Sequence, residues 1–132
     1  EKFREEGISP VTRSARMLKA LLEAETPIII EGETIVATRT ISRIPSIFTE
    51  EEWEDIRSKH TLHERGTVSN LSADYDGIIA DGLGKRKESI AARLSDEALT
   101  TEQKEFLVAA GDSIEALQAF ILKYQACAKM QD

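Results

Sequence analysis

The sequence predicts a mainly α-helical protein of about four helices with one short β-hairpin or pair of extended segments. Apolar residues recur at helical spacing over most of the chain, and two capping-box sequences mark helix starts. The 132 residues, 41% hydrophobic and 31% charged, match one soluble globular unit with a modest core. Residues 1–132 are therefore interpreted as a single segment.

The first helix is predicted over residues 13–25, where four apolar residues form a narrow stripe at i, i+1, i+4 and i+5. Pro27 ends it, because the residue before a proline avoids the helical conformation. The stripe consists of Met17, Leu18, Leu21 and Leu22.

Residues 27–41, PIIIEGETIVATRTI, predict a small hairpin or paired extended strands. β-Branched residues dominate on both sides of Glu31-Gly32-Glu33, which is typical of two short strands joined by a tight glycine turn. Pro45 is expected to close this part of the chain.

A second, short helix is predicted from about Glu50 to Lys59. Thr49 and Glu52 form a Thr-x-x-Glu capping box, in which the two side chains satisfy free amides at the helix start. Trp53 and Ile56 are expected on its buried side. The following residues lose this periodicity and gather Gly, Ser, Asn and Asp, which indicates a long loop.

The third helix is predicted to begin at Asp74. Gly82 and Gly84 lie inside it, and each costs about 1 kcal/mol of helix stability relative to alanine. We expect Gly82 to face another backbone, so that Gly82→Ala would cost stability through a clash. The expected inward face consists of Tyr75, Ile78 or Ile79, Leu83, Ile90 and Leu94.

Thr100 and Gln103 form a second capping box, which begins a long last helix. Over residues 107–128 its apolar residues alternate spacings of three and four, which predicts one continuous heptad seam. The seam consists of Leu107, Ala110, Ile114, Leu117, Ile121, Tyr124 and Ala128.

The net charge of −7 argues against a nucleic-acid partner, because phosphate binding requires clustered Lys and Arg. The only basic run, Lys85-Arg86-Lys87, is interpreted as a solvated helix face. Gly84-Lys85 resembles the end of a Walker A loop, but Ile79 stands where its first glycine belongs and Arg86 where its hydroxyl belongs. A nucleotide site is therefore the least favoured interpretation of this segment.

The single cysteine, Cys127, excludes an internal disulfide and suits a cytoplasmic protein. It is interpreted as a small buried apolar residue. The apolar runs are too short for a membrane span. His60 and His63, with Glu64 beside them, could supply two metal ligands, but no further His or Cys completes the shell. The residues alone thus predict no metal site and no catalytic residue.

Four stretches, at residues 13–40, 48–56, 70–90 and 100–128, follow one another in an order that resembles the N-terminal part of the pyruvate formate-lyase-like domain of glycyl radical enzymes. The family pattern of a proline, an apolar strand, a glutamate and IVG-x-R-T matches Pro27, Ile28 to Ile30, Glu33, Ile35, Val36, Arg39 and Thr40. The family's helix start, P-[ND]-Y-x-x-(V/I)-(L/I)-x-x-G-(L/I), matches Asp74, Tyr75, Ile78, Ile79, Gly82 and Leu83. Ala37 and Ala73 depart from it, where the family has glycine and proline. The likeness spans nearly the whole chain but only a minor N-terminal portion of such an enzyme, and the absence of an initial Met fits a piece of something longer.

The resemblance implies a fragment of the helical layer around the barrel of a glycyl radical enzyme. The parent would cleave C–C, C–O, C–N or C–S bonds of a small polar substrate through a glycyl radical. A radical S-adenosylmethionine activating enzyme would install that radical. The family's active-site cysteine and glycine loops are absent here, so the fragment itself is expected to be non-catalytic and to hold no cofactor. Asn70 is expected to line the substrate cavity, with His60 and His63 as weaker candidates.

The alternative is a free-standing helical interaction module. In that case the seam of the last helix would pack on a second copy, and the 132 residues would form a homodimer without a larger parent. The same seam also suits burial against the rest of a large enzyme, so it favours neither interpretation.

Overall fold

The computed structural model describes residues 7–32, 48–59 and 74–130, and these contain four helices. The predicted mainly α class is confirmed for them. Residues 27–30 form no strand, and Glu31 and Gly32 form a turn with Gly32 at φ +84°. The remainder of the predicted hairpin lies outside the described residues. The helices are α1 (Pro10–Ala24), α2 (Glu50–Lys59), α3 (Tyr75–Leu94) and α4 (Thr101–Lys129).

Helix α1 begins three residues earlier than the apolar stripe predicted. The Ser9 hydroxyl accepts a hydrogen bond from the Thr12 amide at 3.4 Å, and Pro10 occupies the first helical position. Proline suits that position because the amide it lacks would have no partner inside the helix. The apolar stripe marks only the turns of α1 that pack against other helices, so it did not predict where the helix begins.

Helix α2 has the predicted bounds, and its capping box is confirmed. The Thr49 amide donates to the Glu52 carboxylate at 2.8 Å, while the Glu52 amide donates to the Thr49 hydroxyl at 3.2 Å. Phe48 precedes the cap and meets Trp53 edge to face, with 5.3 Å between ring centroids. This is a hydrophobic staple, which fixes the direction in which the chain enters the helix. Trp53 is only 3% exposed, as predicted for the buried side.

Helices α1 and α4 pack through small side chains and run in the same direction. Ala15 on α1 and Ala109 and Ala116 on α4 are buried. Small residues at a helix crossing allow the two backbones to approach closely. The contact continues to the end of α1, where the Lys123 ammonium of α4 donates to the carbonyls of Leu22 (3.2 Å), Glu23 (2.7 Å) and Glu25 (2.7 Å).

Lys123 thereby caps the C-terminus of α1 from another helix. The last carbonyls of a helix have no partner within it and carry the negative end of its dipole. An ammonium group offers three donors and a positive charge, so it satisfies both needs at once. The residue is part of α4, and the cap therefore also fixes the position of α1 along α4.

Helices α3 and α4 form an antiparallel hairpin. Lys87 Nζ on α3 lies 2.9 Å from Glu115 Oε1 on α4, and Ile90 lies beside Gly111. The short connection between them buries Leu99. At the start of α4 the predicted capping box of Thr100 and Gln103 is confirmed.

The predicted seam of α4 is only partly correct. Its N-terminal residues, Leu107, Ala110 and Ile114, face α3 across a shared groove. Farther along, Leu117, Ile121 and Ala128 are exposed, and Ile121 is 55% exposed. The buried stripe of this half instead contains Ala116, because α1 packs on a neighbouring face. Cys127, predicted to be buried, is half-buried.

The prediction for Gly82 was wrong about the cause. A Cβ built at Gly82 meets no atom of the described residues within 4 Å, so none of their backbones approaches it. Gly82 instead has φ 71° and ψ 173° and kinks α3 into two helical pieces. Only glycine adopts that conformation readily. A close approach occurs at Gly77 instead, where a Cβ would overlap two side-chain atoms, Arg86 Nη2 and Asp74 Oδ2.

Replacing Lys123 by methionine tests the cap at the end of α1. The substitution keeps most of the apolar stem and removes all three donors, so we expect the free energy of unfolding to fall by about 1–2 kcal/mol. Urea denaturation followed by circular dichroism measures the change. Lys104→Met, an exposed lysine in the first turn of the same helix, is the control. Equal losses in the two variants would contradict the capping role.

Candidate packing surface

The residues predicted to contact substrate lie outside the described part of the chain. Asn70, His60 and His63 all fall between residues 59 and 74, so their role stays a prediction. Within the described ranges, no group of three or more His, Cys, Asp or Glu side chains could hold a metal ion.

The basic run of α3 lies on the surface, as predicted, and each of its members has a carboxylate partner. Lys85 pairs with Asp81 at 2.7 Å, and Arg86 pairs with Asp74 at 2.6 Å. Lys87 pairs with Glu115 of α4. Three cations that are already neutralised do not form a phosphate-binding patch. The run therefore serves the helical framework.

Arg13 is the most deeply buried charge among the described residues, with 4% of its side chain exposed. Its guanidinium forms an ion pair with Glu52, which joins α1 to α2. A buried charge is costly unless it is paired, so this contact constrains where α2 begins. The Arg13 Nε has no hydrogen-bond partner in the described part of the molecule.

Three carboxyl groups of the described residues have a lowered pKa, and each belongs to an ion pair that joins two parts of the framework. For Glu52, partial burial opposes the charge, but hydrogen bonds from Thr49 and the Arg13 guanidinium outweigh it and lower the pKa. The Gly77 amide and then Arg86 lower the pKa of Asp74. Lys87 lowers the pKa of Glu115. Perturbed groups can mark active sites, but these three are accounted for by caps and bridges.

Several large apolar side chains on α3 and α4 are exposed. Tyr75 and Ile79 were predicted to face inward, yet they are 66% and 82% exposed. Exposed apolar residues that cluster mark interaction surfaces more often than isolated ones do. On α4 the uncovered residues include Phe106, Val108, Leu117, Ile121, Leu122 and Met130.

A groove of about 530 Å³ lies between α3 and α4 beside this surface. Apolar side chains form most of its lining, and Asp74 and Arg86 supply the charged groups. Its apolar lining consists of Ile78, Leu83, Ile90, Phe106, Leu107, Ala110 and Ile114. The sequence pattern placed several of these residues on one face but gave no sign that a groove would stay open between the helices.

Comparisons with models of known families, with curated proteins and with solved structures found no match for this chain. In the described part of the chain, α1 and α3 pack on one long helix, and large apolar side chains of α3 and α4 are exposed. None of the helices in the described ranges is long and apolar enough to cross a membrane.

Replacing Glu52 by glutamine tests the bridge between α1 and α2. At pH 7 we expect a loss of about 1–2 kcal/mol in the free energy of unfolding, because Arg13 loses its counter-charge. The value is at the low end for a buried pair, since 35% of the Glu52 side chain is exposed and water screens the interaction.

The pH dependence of this loss follows from the lowered pKa of Glu52. Its contribution is present above the ordinary pKa of 4.5 and is lost as the pH falls through the lower pKa of the folded state. The difference in Tm between Glu52→Gln and the unchanged chain should therefore shrink below about pH 4.5. Glu51→Gln, an exposed neighbour, is the control. A difference in Tm that stayed constant from pH 7 to pH 3 would contradict the role of the carboxylate charge.

Proposed function

We propose that this chain is the helical N-terminal portion of a glycyl radical enzyme of the pyruvate formate-lyase-like family, and that it is not catalytic by itself. One observation carries the proposal: the residues of the D-Y-x-x-I-I-x-x-G-L pattern form a single structural unit at the start of α3. Asp74 caps the helix, and Gly82 makes its kink. Tyr75 and Ile79 are left uncovered between them.

An uncovered tyrosine and isoleucine in that unit suit a surface on which further chain packs. Apolar area exposed to water is unfavourable, and burying it stabilises the folded protein by about 25 cal/mol per Å². The core of the described residues is also thin, since no large side chain in it is fully buried. Both features support a piece of a larger domain, in which other elements cover this surface.

The chemistry of the parent follows from the family resemblance. A glycyl radical, installed by a radical S-adenosylmethionine enzyme, would pass to a cysteine that abstracts hydrogen from a small polar substrate. Such radicals need shielding from water and oxygen, and a helical wall provides it. The compartment we propose is the cytoplasm, which suits a chain with one unpaired cysteine.

Asn70 is our proposed substrate contact, with His60 and His63 as further candidates. In the longer enzyme, Asn70→Ala should lower kcat/KM about tenfold or more through the loss of one hydrogen bond, with little change in Tm. Gln125→Ala, an exposed amide on α4, is the control. An unchanged kcat/KM would remove Asn70 from the substrate site.

Self-association through α4 is the second candidate, and one observation favours it. Leu117 and Ile121 lie one turn apart on the exposed part of the seam, where a second copy could cover them. Light scattering on the 132-residue chain separates the two proposals. A stable dimer without any larger parent supports the module. The downstream sequence decides the enzyme proposal, which needs a Cys-x-Glu loop and a C-terminal glycine-radical loop.

Isoleucine-to-serine substitutions at two positions of α3 test whether further chain covers the start of this helix. Ile79 is 82% exposed, so Ile79→Ser should change the free energy of unfolding of the 132-residue chain by less than about 0.5 kcal/mol. In the longer protein the same change should cost about 1–3 kcal/mol, because the side chain would then be buried. Thermal or urea unfolding of both proteins gives the comparison.

Ile90→Ser is the matched control, because Ile90 already lies against Gly111 of α4 within this chain. It should destabilise both the short and the long protein. If Ile79→Ser is equally harmless in both, the start of α3 is a free surface and the proposed covering is wrong.

A further inference from the structure

Helix α3 contains two helical pieces joined at Gly82. With φ 71° and ψ 173°, Gly82 interrupts the helical backbone, while the residues on both sides of it are helical. Glycine can also adopt the ordinary helical conformation, so the same residue would fit a straight α3. Residues 74–81, which precede the kink, are called the arm.

An ion pair across the kink holds the arm against the rest of α3. Asp74 and Arg86 are twelve residues apart, which corresponds to roughly 18 Å along a straight helix. Their side chains nevertheless meet at 2.6 Å. The guanidinium lies where a Cβ of residue 77 would be, so Gly77 makes room for it. The pair therefore exists only while α3 is kinked.

The arm also forms one wall of the groove between α3 and α4. Asp74 and Ile78 line it from the arm, and Leu83 and Ile90 line it from the second piece of α3. Phe106 and its neighbours on α4 complete the lining. A movement of the arm would therefore open the groove on that side.

The contacts that keep the arm folded back are few. Tyr75 and Ile79 bury little of their surface in this position. The Asp74–Arg86 pair is exposed, and exposed ion pairs contribute little to stability. The Lys85–Asp81 pair has i, i+4 spacing, so a straight helix could form it equally well.

We propose that the arm is a movable wall of the α3–α4 groove, a lid in this sense, latched by the Asp74–Arg86 ion pair and hinged at Gly82. In the kinked state Ile78 and Asp74 form one wall of the groove. In the open state residue 82 becomes helical, α3 straightens and the groove opens on that side. The inference does not depend on the glycyl radical assignment.

Distances between two spin labels on the 132-residue chain test the lid. With Cys127 replaced by alanine, the labels are attached at Asp76→Cys on the arm and Thr101→Cys at the start of α4, both exposed positions. Arg86 now lies beside Gly77, the neighbour of residue 76. In a straight helix residue 76 would lie ten residues before Arg86, roughly 15 Å along the axis. Asp74→Asn breaks the latch yet keeps a good N-cap residue, so it should increase the long-distance population.

Gly82→Ala should increase the same population, because alanine is helical far more readily than it adopts the kinked conformation. Two controls should leave the distances unchanged: Gly84→Ala, where φ is not positive and the Cβ position is open, and Lys85→Gln. Short distances retained in a folded Gly82→Ala chain overturn the proposal. If circular dichroism shows that the Gly82→Ala chain is unfolded, the test depends on Asp74→Asn. An unchanged distance distribution in that variant overturns the proposal.

Discussion

The positions of α1 and α3 depend on α4, which supports α1 on one face and α3 on another. The first face is built from alanines and allows a close approach. The second is built from larger residues and leaves a groove. Each contact is completed by one lysine, Lys123 at the end of α1 and Lys87 from α3. A single long helix thereby fixes the positions of α1 and α3, which are far apart in the sequence.

The features that could be predicted from the sequence are those that depend on neighbouring residues. The capping boxes at Thr49 and Thr100 gave correct helix starts, because all their hydrogen bonds form within four residues. The side on which each helix is buried was predicted less well. Tyr75 and Ile121 have the spacing of core residues but are exposed, because burial depends on which other element packs against a side chain. The groove could not be predicted for the same reason. The assignment of Asn70 as a substrate contact depends on the family resemblance alone.

Gly82 illustrates a second limit of sequence analysis. Two glycines within a helical pattern signal that something is unusual, but they do not say whether the cause is crowding or backbone conformation. At Gly82 the cause is a positive φ, whereas the described residues show neither cause at Gly84; the crowded glycine is Gly77, which the pattern did not single out. The adjacent basic residues, which suggested a phosphate site, are explained by the kink and the hairpin, because both bring carboxylates within reach.

The cap at Lys123 also has a consequence for the order of folding. It joins residues about 100 positions apart, whereas the α3–α4 hairpin closes at Lys87 and Glu115, 28 positions apart. Closing the longer loop costs about 1 kcal/mol more chain entropy. The hairpin is thus expected to form first and α1 to dock last. During synthesis α1 leaves the ribosome long before α4 has been made. Its apolar stripe therefore stays exposed to water until α4 can cover it.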